Sequence, residues 1–60
     1  MTIIETADNR LYRVTDHPDA RLAHLYSGVE VERHGGIFVT KGNTLPELVR
    51  REGCRVLVEA

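Results

Sequence analysis

Hydrophobic residues fall in short runs divided by turn signals. Thr2–Ala7 and Arg10–Thr15 are β-prone and flank Asp8-Asn9. Asn and Asp tolerate the left-handed backbone of tight hairpins, so a first hairpin is expected there. Its faces are not cleanly polar or apolar in any register, and which side is buried stays open. Val29–Arg33 and Ile37–Lys41 read as a second hairpin around His34-Gly35-Gly36. A two-residue Gly35-Gly36 loop would pair Arg33 with Phe38 and split the apolar residues between faces. A three-residue loop pairs Arg33 with Ile37 and Val31 with Val39, gathering Val29, Val31, Ile37 and Val39 on one face. One buried face specifies register strongly. The three-residue loop is therefore expected, with Glu30, Glu32, Phe38 and Thr40 sharing the other face.

Two segments carry helical signals. Thr44-Leu45-Pro46-Glu47 has the spacing of a capping box, with Pro46 in the first turn and Gly53 as the stop. Leu45, Leu48 and Val49 fall on one helical face. A helix over about 45–52 is expected, too short to persist alone and so docked on the sheet. Asp16-His17-Pro18-Asp19 has an N-cap candidate and a first-turn proline, and Leu22, Leu25 and Tyr26 follow at helical spacing before Gly28. This predicts a second helix over about 17–26, with a strand over 21–27 as the competing reading. Cys54–Glu59 alternates, placing Cys54, Val56 and Val58 on one side of a last strand. The expectation is one α+β domain over residues 1–60. It has a mostly antiparallel sheet of about five strands, built from two hairpins and a C-terminal strand, with one or two short helices packed on it.

Composition narrows the function. The chain has 60 residues and 42% hydrophobic content, with no Trp, one Phe and two Tyr. A chain this size buries only about 60% of the surface its unfolded form exposes. One cysteine excludes an intrachain disulfide, so either the packing is good or a homodimer or other partner completes the fold. Net charge is -1, from eight basic and nine acidic residues, which argues against a general polyanion binder. No apolar window is long enough for a transmembrane helix, and the start has no signal-peptide pattern. A lone cysteine without an export signal suits the cytoplasm.

Candidate chemistry is sparse. His17 and His24 are seven residues apart. On a helix they would lie about 10 Å apart along the axis, too far to chelate one ion. No metal or other cofactor is expected. Cys54 follows the expected helix C-terminus and alternates with Val56 and Val58, so it reads as a core thiol. Ser27 is the only serine and sits in no nucleophile elbow. The glycines form no phosphate-cradling motif. Glu30 and Glu32 share a strand face, but a chain of this size has little room for a pocket to tune them. No enzymatic activity is expected.

Two patches remain as partner-binding candidates. One is Arg50, Arg51 and Arg55, which suits helix-end stabilisation or contact with an anion. The other is Phe38 with Glu30 and Glu32, an aromatic anchor on a polar strand face.

The stretch Gly36-Ile37-Phe38-Val39-Thr40-Lys41-Gly42-Asn43-Thr44-Leu45-Pro46-Glu47-Leu48 resembles the strand–turn–helix of HicB-type antitoxins. The resemblance covers about a fifth of the chain. The helix here is shorter, and no DNA-binding segment follows. It implies a small α+β sheet and makes neutralisation of a larger protein a candidate role. The expected function is a protein-binding module, such as a stand-alone inhibitor of the antitoxin or phage-encoded kind. The alternative is a nucleic-acid contact through the arginines.

Overall fold

A computed structural model describes all residues, Met1–Ala60. It shows six strands and one 3-10 turn: β1 (Thr2–Glu5), β2 (Leu11–Asp16), the turn at Ala20–Leu22, β3 (Leu25–His34), β4 (Ile37–Thr40), β5 (Glu47–Arg50) and β6 (Arg55–Glu59). There is no α-helix, so the α+β expectation is corrected to an antiparallel all-β fold. The sheet order is β4-β3-β2-β1-β6, and β5 also pairs with β3.

β5 replaces the expected helix over 45–52. Glu47–Arg50 pairs with Leu25–Gly28, which would otherwise be an unpaired strand edge beside the core. Thr44 does not cap a helix; its Oγ1 donates to the Lys41 carbonyl at 2.8 Å. Pro46 biases Leu45 towards extended backbone as readily as it starts a helix. Of the three apolar residues assigned to a helical face, only Val49 is buried, while Leu45 is 77% and Leu48 55% exposed. A capping box contributes about 1 kcal/mol locally. Strand pairing along β3 and burial of Val49 outweigh it. Gly53 lies in the turn between β5 and β6 rather than at a helix end.

The helix over 17–26 is also absent. Asp16 ends β2 opposite Tyr26. Asp19 is the cap instead, its Oδ1 accepting from the Arg21 amide at 3.0 Å, and only Ala20–Leu22 turn. Leu25 and Tyr26 begin β3, where β5 pairs with both and β2 with Tyr26.

The two hairpins form, with one change of register. Thr6 and Arg10 close the first around Ala7-Asp8-Asn9, the Thr6 amide donating to the Arg10 carbonyl at 2.8 Å and Asn9 taking φ +67°. In the second, His34 pairs with Ile37, Arg33 with Phe38 and Val31 with Thr40. This is the two-residue Gly35-Gly36 loop, not the expected three-residue one. Both glycines have positive φ, +57° and +90°, as a type I′ turn requires, and that turn matches the twist of the strands. Turn chemistry therefore overrides the single-apolar-face argument. The segregation of four apolar residues on one face does not occur.

The sheet curls. β5 lies beside β3 and β6 beside β1, four strand spacings or about 19 Å apart if flat. Yet only Arg51–Cys54 joins them, folded as a turn. The two sides must bend towards each other. Ile4 of β1, Tyr12 and Val14 of β2 and Val49 of β5 accordingly form one buried cluster, with Tyr26 and Cys54 packed against it. Gly28 makes this closeness possible. A Cβ there would stand 2.9 Å from Val14 Cγ1 and 3.2 Å from Val49 Cγ2. On the outer face, Ile3 is equally closed to solvent, between its cross-strand neighbours Arg13 and Val58.

In β6, Ile3 pairs with Val58 but Ile4 pairs with Val56, leaving Leu57 as a bulge. The bulge puts Val56 on the concave face and Val58 on the outer one, which corrects the expected single-sided alternation.

Candidate functional site

Two regions hold the candidate residues: the open mouth of the concave face, and the far end of the β3–β4 hairpin. The mouth is a concavity of about 360 Å³ lined by Val14, Asp16, Tyr26, Arg51, Val56 and Glu59 among others. Arg51 dominates it. Its guanidinium lies over the Tyr26 ring, 4.1 Å from the centroid, and its Nη2 donates to Asp16 Oδ1 at 2.9 Å. Its backbone amide donates to the His24 carbonyl at 3.2 Å. The side chain thus braces the β5–β6 turn against the end of β2 and the start of β3. Its Nε is buried without a partner.

The three arginines do not form one patch. Arg51 is engaged as above. Arg55 donates to Glu5 Oε1 at 2.7 Å across the β1–β6 pair. Arg50 stands exposed opposite Leu25. Only Arg50 of the trio lacks an ion-pair partner.

Phe38, Glu30 and Glu32 are not brought together either. In the observed register Phe38 faces the same side as Arg33, whose guanidinium covers its ring at 5.1 Å. Glu30 and Glu32 face the opposite side. Glu30 is only 14% exposed in its side chain and sits between Arg10 at 3.7 Å and Lys41 at 3.5 Å. It ties the first hairpin to the segment after β4. Glu32 pairs with His34 Nε2 at 2.8 Å.

The remaining chemistry-bearing groups are held by the fold. His17 Nδ1 accepts from the Asp19 amide at 3.0 Å. No three His, Cys, Asp or Glu residues gather where they could hold a metal ion. Cys54 is half-buried against the core and its Sγ donates to the Arg50 carbonyl at 3.0 Å. Burial pushes its thiol pKa up, away from the reactive thiolate. No helix is long and apolar enough to cross a membrane.

The sequence predicts the second hairpin but not that its end projects beyond the sheet. β2 pairs with β3 only from Tyr26 to Val31. Beyond Val31, residues Glu32–His34 have β4 on one side and nothing on the other. Residues 32–39 therefore form a two-stranded arm, in keeping with a molecule measuring 37 × 23 × 23 Å. The arm carries Ile37, 63% exposed, beside half-buried Phe38 and Val39. The arm follows from the length mismatch between a six-residue β2 and a ten-residue β3, which a helix over 17–26 would conceal.

No protein-family model, curated protein or solved structure matches the chain. The strand–turn–helix that carried the resemblance to HicB-type antitoxins is a strand–loop–strand.

Proposed function

We infer that this domain is a non-catalytic, cytoplasmic protein-binding module that acts as an inhibitor or antagonist of a larger protein, and that the β3–β4 arm is its contact surface. The observation that carries this reading is the arm itself. It extends past the sheet with both edges unpaired and presents Ile37 and the Arg33–Phe38 stack to solvent. An edge strand offers unpaired backbone donors and acceptors to an extended partner segment, and flanking apolar side chains supply selectivity. Aromatic and arginine side chains are over-represented at the energetic centres of such contacts. The engagement of Arg51 and Arg55 within the fold favours this reading over a nucleic-acid contact.

The test is capture of the host partner by the immobilised domain, compared with Ile37→Glu and Phe38→Ala variants whose strand signal in circular dichroism is unchanged. Loss of capture in both variants is the expected result. Capture that survives both excludes the arm.

A further inference from the structure

We propose that β4 also pairs with β4 of a second copy of this chain, antiparallel and centred on Phe38, giving a weak homodimer through a continuous sheet. The inference rests on reading the arm as an interaction surface and names one occupant for it.

Several strand edges are exposed, and they differ in how well they resist pairing. The open edge of β3 at Glu32–His34 and the outer edge of β5 at Glu47–Arg50 both carry charged residues, which discourage pairing. β6 carries the Leu57 bulge. Its sequence Arg55-Val56-Leu57-Val58-Glu59 invites self-pairing, with Arg55 opposite Glu59 of a second copy. The bulge defeats this, because it leaves Arg55 on the outer face and Glu59 on the concave face. Bulges blunt edges in this way. β4 has no such device. Ile37-Phe38-Val39-Thr40 contains no charge, no proline and no bulge.

Backbone direction sets which groups β4 offers. The Lys41 amide donates to the Glu30 carbonyl at 3.0 Å, so residue 41 points its backbone at β3. By antiparallel alternation Val39 and Ile37 do the same, and Phe38 and Thr40 point theirs outward. A two-fold axis through Phe38 lets the two Phe38 residues exchange amide and carbonyl. Thr40 then meets Gly36 of the second copy. In this register Ile37 lies beside Val39 of the second copy on one face, and the two Phe38 rings adjoin on the other. Cross-strand apolar and aromatic pairs are what stabilise a sheet. The row through Ile37 and the second copy's Val39 brings no like charges together, since it is flanked by His34 on one side and Glu32 on the other. The register centred on Val39 would instead place Lys41 of the second copy against Ile37, in the row of His34.

A two-stranded ribbon is marginally stable alone, and the dimer turns two of them into one four-stranded sheet. The seam is short and falls below the ~1,000 Å² of a stable interface, so the dimer is reversible.

Analytical ultracentrifugation tests this. The weight-average mass should rise from 6.8 kDa towards twice that value as concentration increases, reaching it at roughly millimolar protein as a small interface requires. Thr40→Pro removes an outward amide and no internal hydrogen bond, so it should remain monomeric throughout. Leu57→Lys, on the other edge, should still dimerise. Hydrogen exchange on the unmodified protein gives a second readout that does not depend on a variant folding. The Phe38 and Thr40 amides should gain at least tenfold protection between dilute and concentrated samples. A monomer at every concentration, or exchange at these two amides independent of concentration, overturns the proposal. So does a dimer that persists in a folded Thr40→Pro. A strictly monomeric protein whose partner capture is still lost with Ile37→Glu would remove the dimer and leave the binding role intact.

Discussion

The Tyr12 hydroxyl donates to Glu47 Oε1 at 2.9 Å, joining β2 to β5 over the concave face although the residues are 35 apart in sequence. Burial pushes the Tyr12 pKa up to about 12, and the hydrogen bond and negative charge of Glu47 push the same way. In the unfolded chain the phenol ionises near 10. Below that pH both states are protonated and the contribution is complete. Between about 10 and 12 the unfolded state loses a proton that the folded state keeps, so stability falls as pH rises. At about 1.4 kcal/mol per tenfold change in ionisation constant, the loss is on the order of 2–3 kcal/mol. Urea unfolding of wild type and Tyr12→Phe across this range should show the difference between them shrinking or reversing with pH. Near neutrality the variant should be less stable by about 1 kcal/mol, the worth of the hydrogen bond.

Gly28→Ala should destabilise by about 1–3 kcal/mol through overpacking, since the new methyl meets Val14 and Val49 at 2.9 and 3.2 Å. Val14→Ala, which makes room, should cost less in the Gly28→Ala background than in wild type. A double-mutant cycle in denaturant reads this coupling directly.

The strand at 47–50 and a helix at 45–52 predict different alanine scans. With Val49 buried and Leu45 and Leu48 exposed, Val49→Ala should cost about 1–3 kcal/mol. Leu45→Ala and Leu48→Ala should each stay within about 0.5 kcal/mol. A docked helix would make all three costly. Thermal unfolding of the three variants distinguishes the two structures.

Gly35 has φ +57° and open space around its Cα, so only backbone conformation opposes a side chain there. Gly35→Val should cost about 1–2 kcal/mol, whereas Gly35→Asn should be nearly neutral because Asn tolerates that region. Comparable losses in both would mean that the loop is not the two-residue type I′ turn. Melting temperatures suffice to decide.

Much of the β structure was legible from punctuation. Asp8-Asn9 marked a hairpin, Gly35-Gly36 marked another, and the alternation after Gly53 marked a last strand. The errors arose where a local signal competed with a distant partner. Thr44 and Glu47 have capping-box spacing, but the sequence does not reveal that Leu25–Gly28 needs a neighbour. Asp16 looks like a cap until Arg51 is found bound to it at 2.9 Å. In the second hairpin, turn geometry outweighs apolar segregation, so the faces differ from those that segregation predicts. The three-residue register would join Phe38 to Glu30 and Glu32; the observed one separates them and sets Arg33 above the Phe38 ring. Nothing in the Arg50-Arg51 dipeptide signals that one side chain is anchored and the other free.

β4 and β5 follow one another along the same edge of β3, in the same direction, with residues 41–46 stepping out between them. They are two halves of one long strand interrupted by a detour. The ladder is anchored on both sides of the detour, so its length is not fixed by the sheet. Doubling it would cost only about 0.6 kcal/mol in closure entropy. Leu45 within it is 77% exposed. The fold thus contains a position where new sequence can be inserted, by evolution or by design, and presented beside the arm without disturbing the core that supports both.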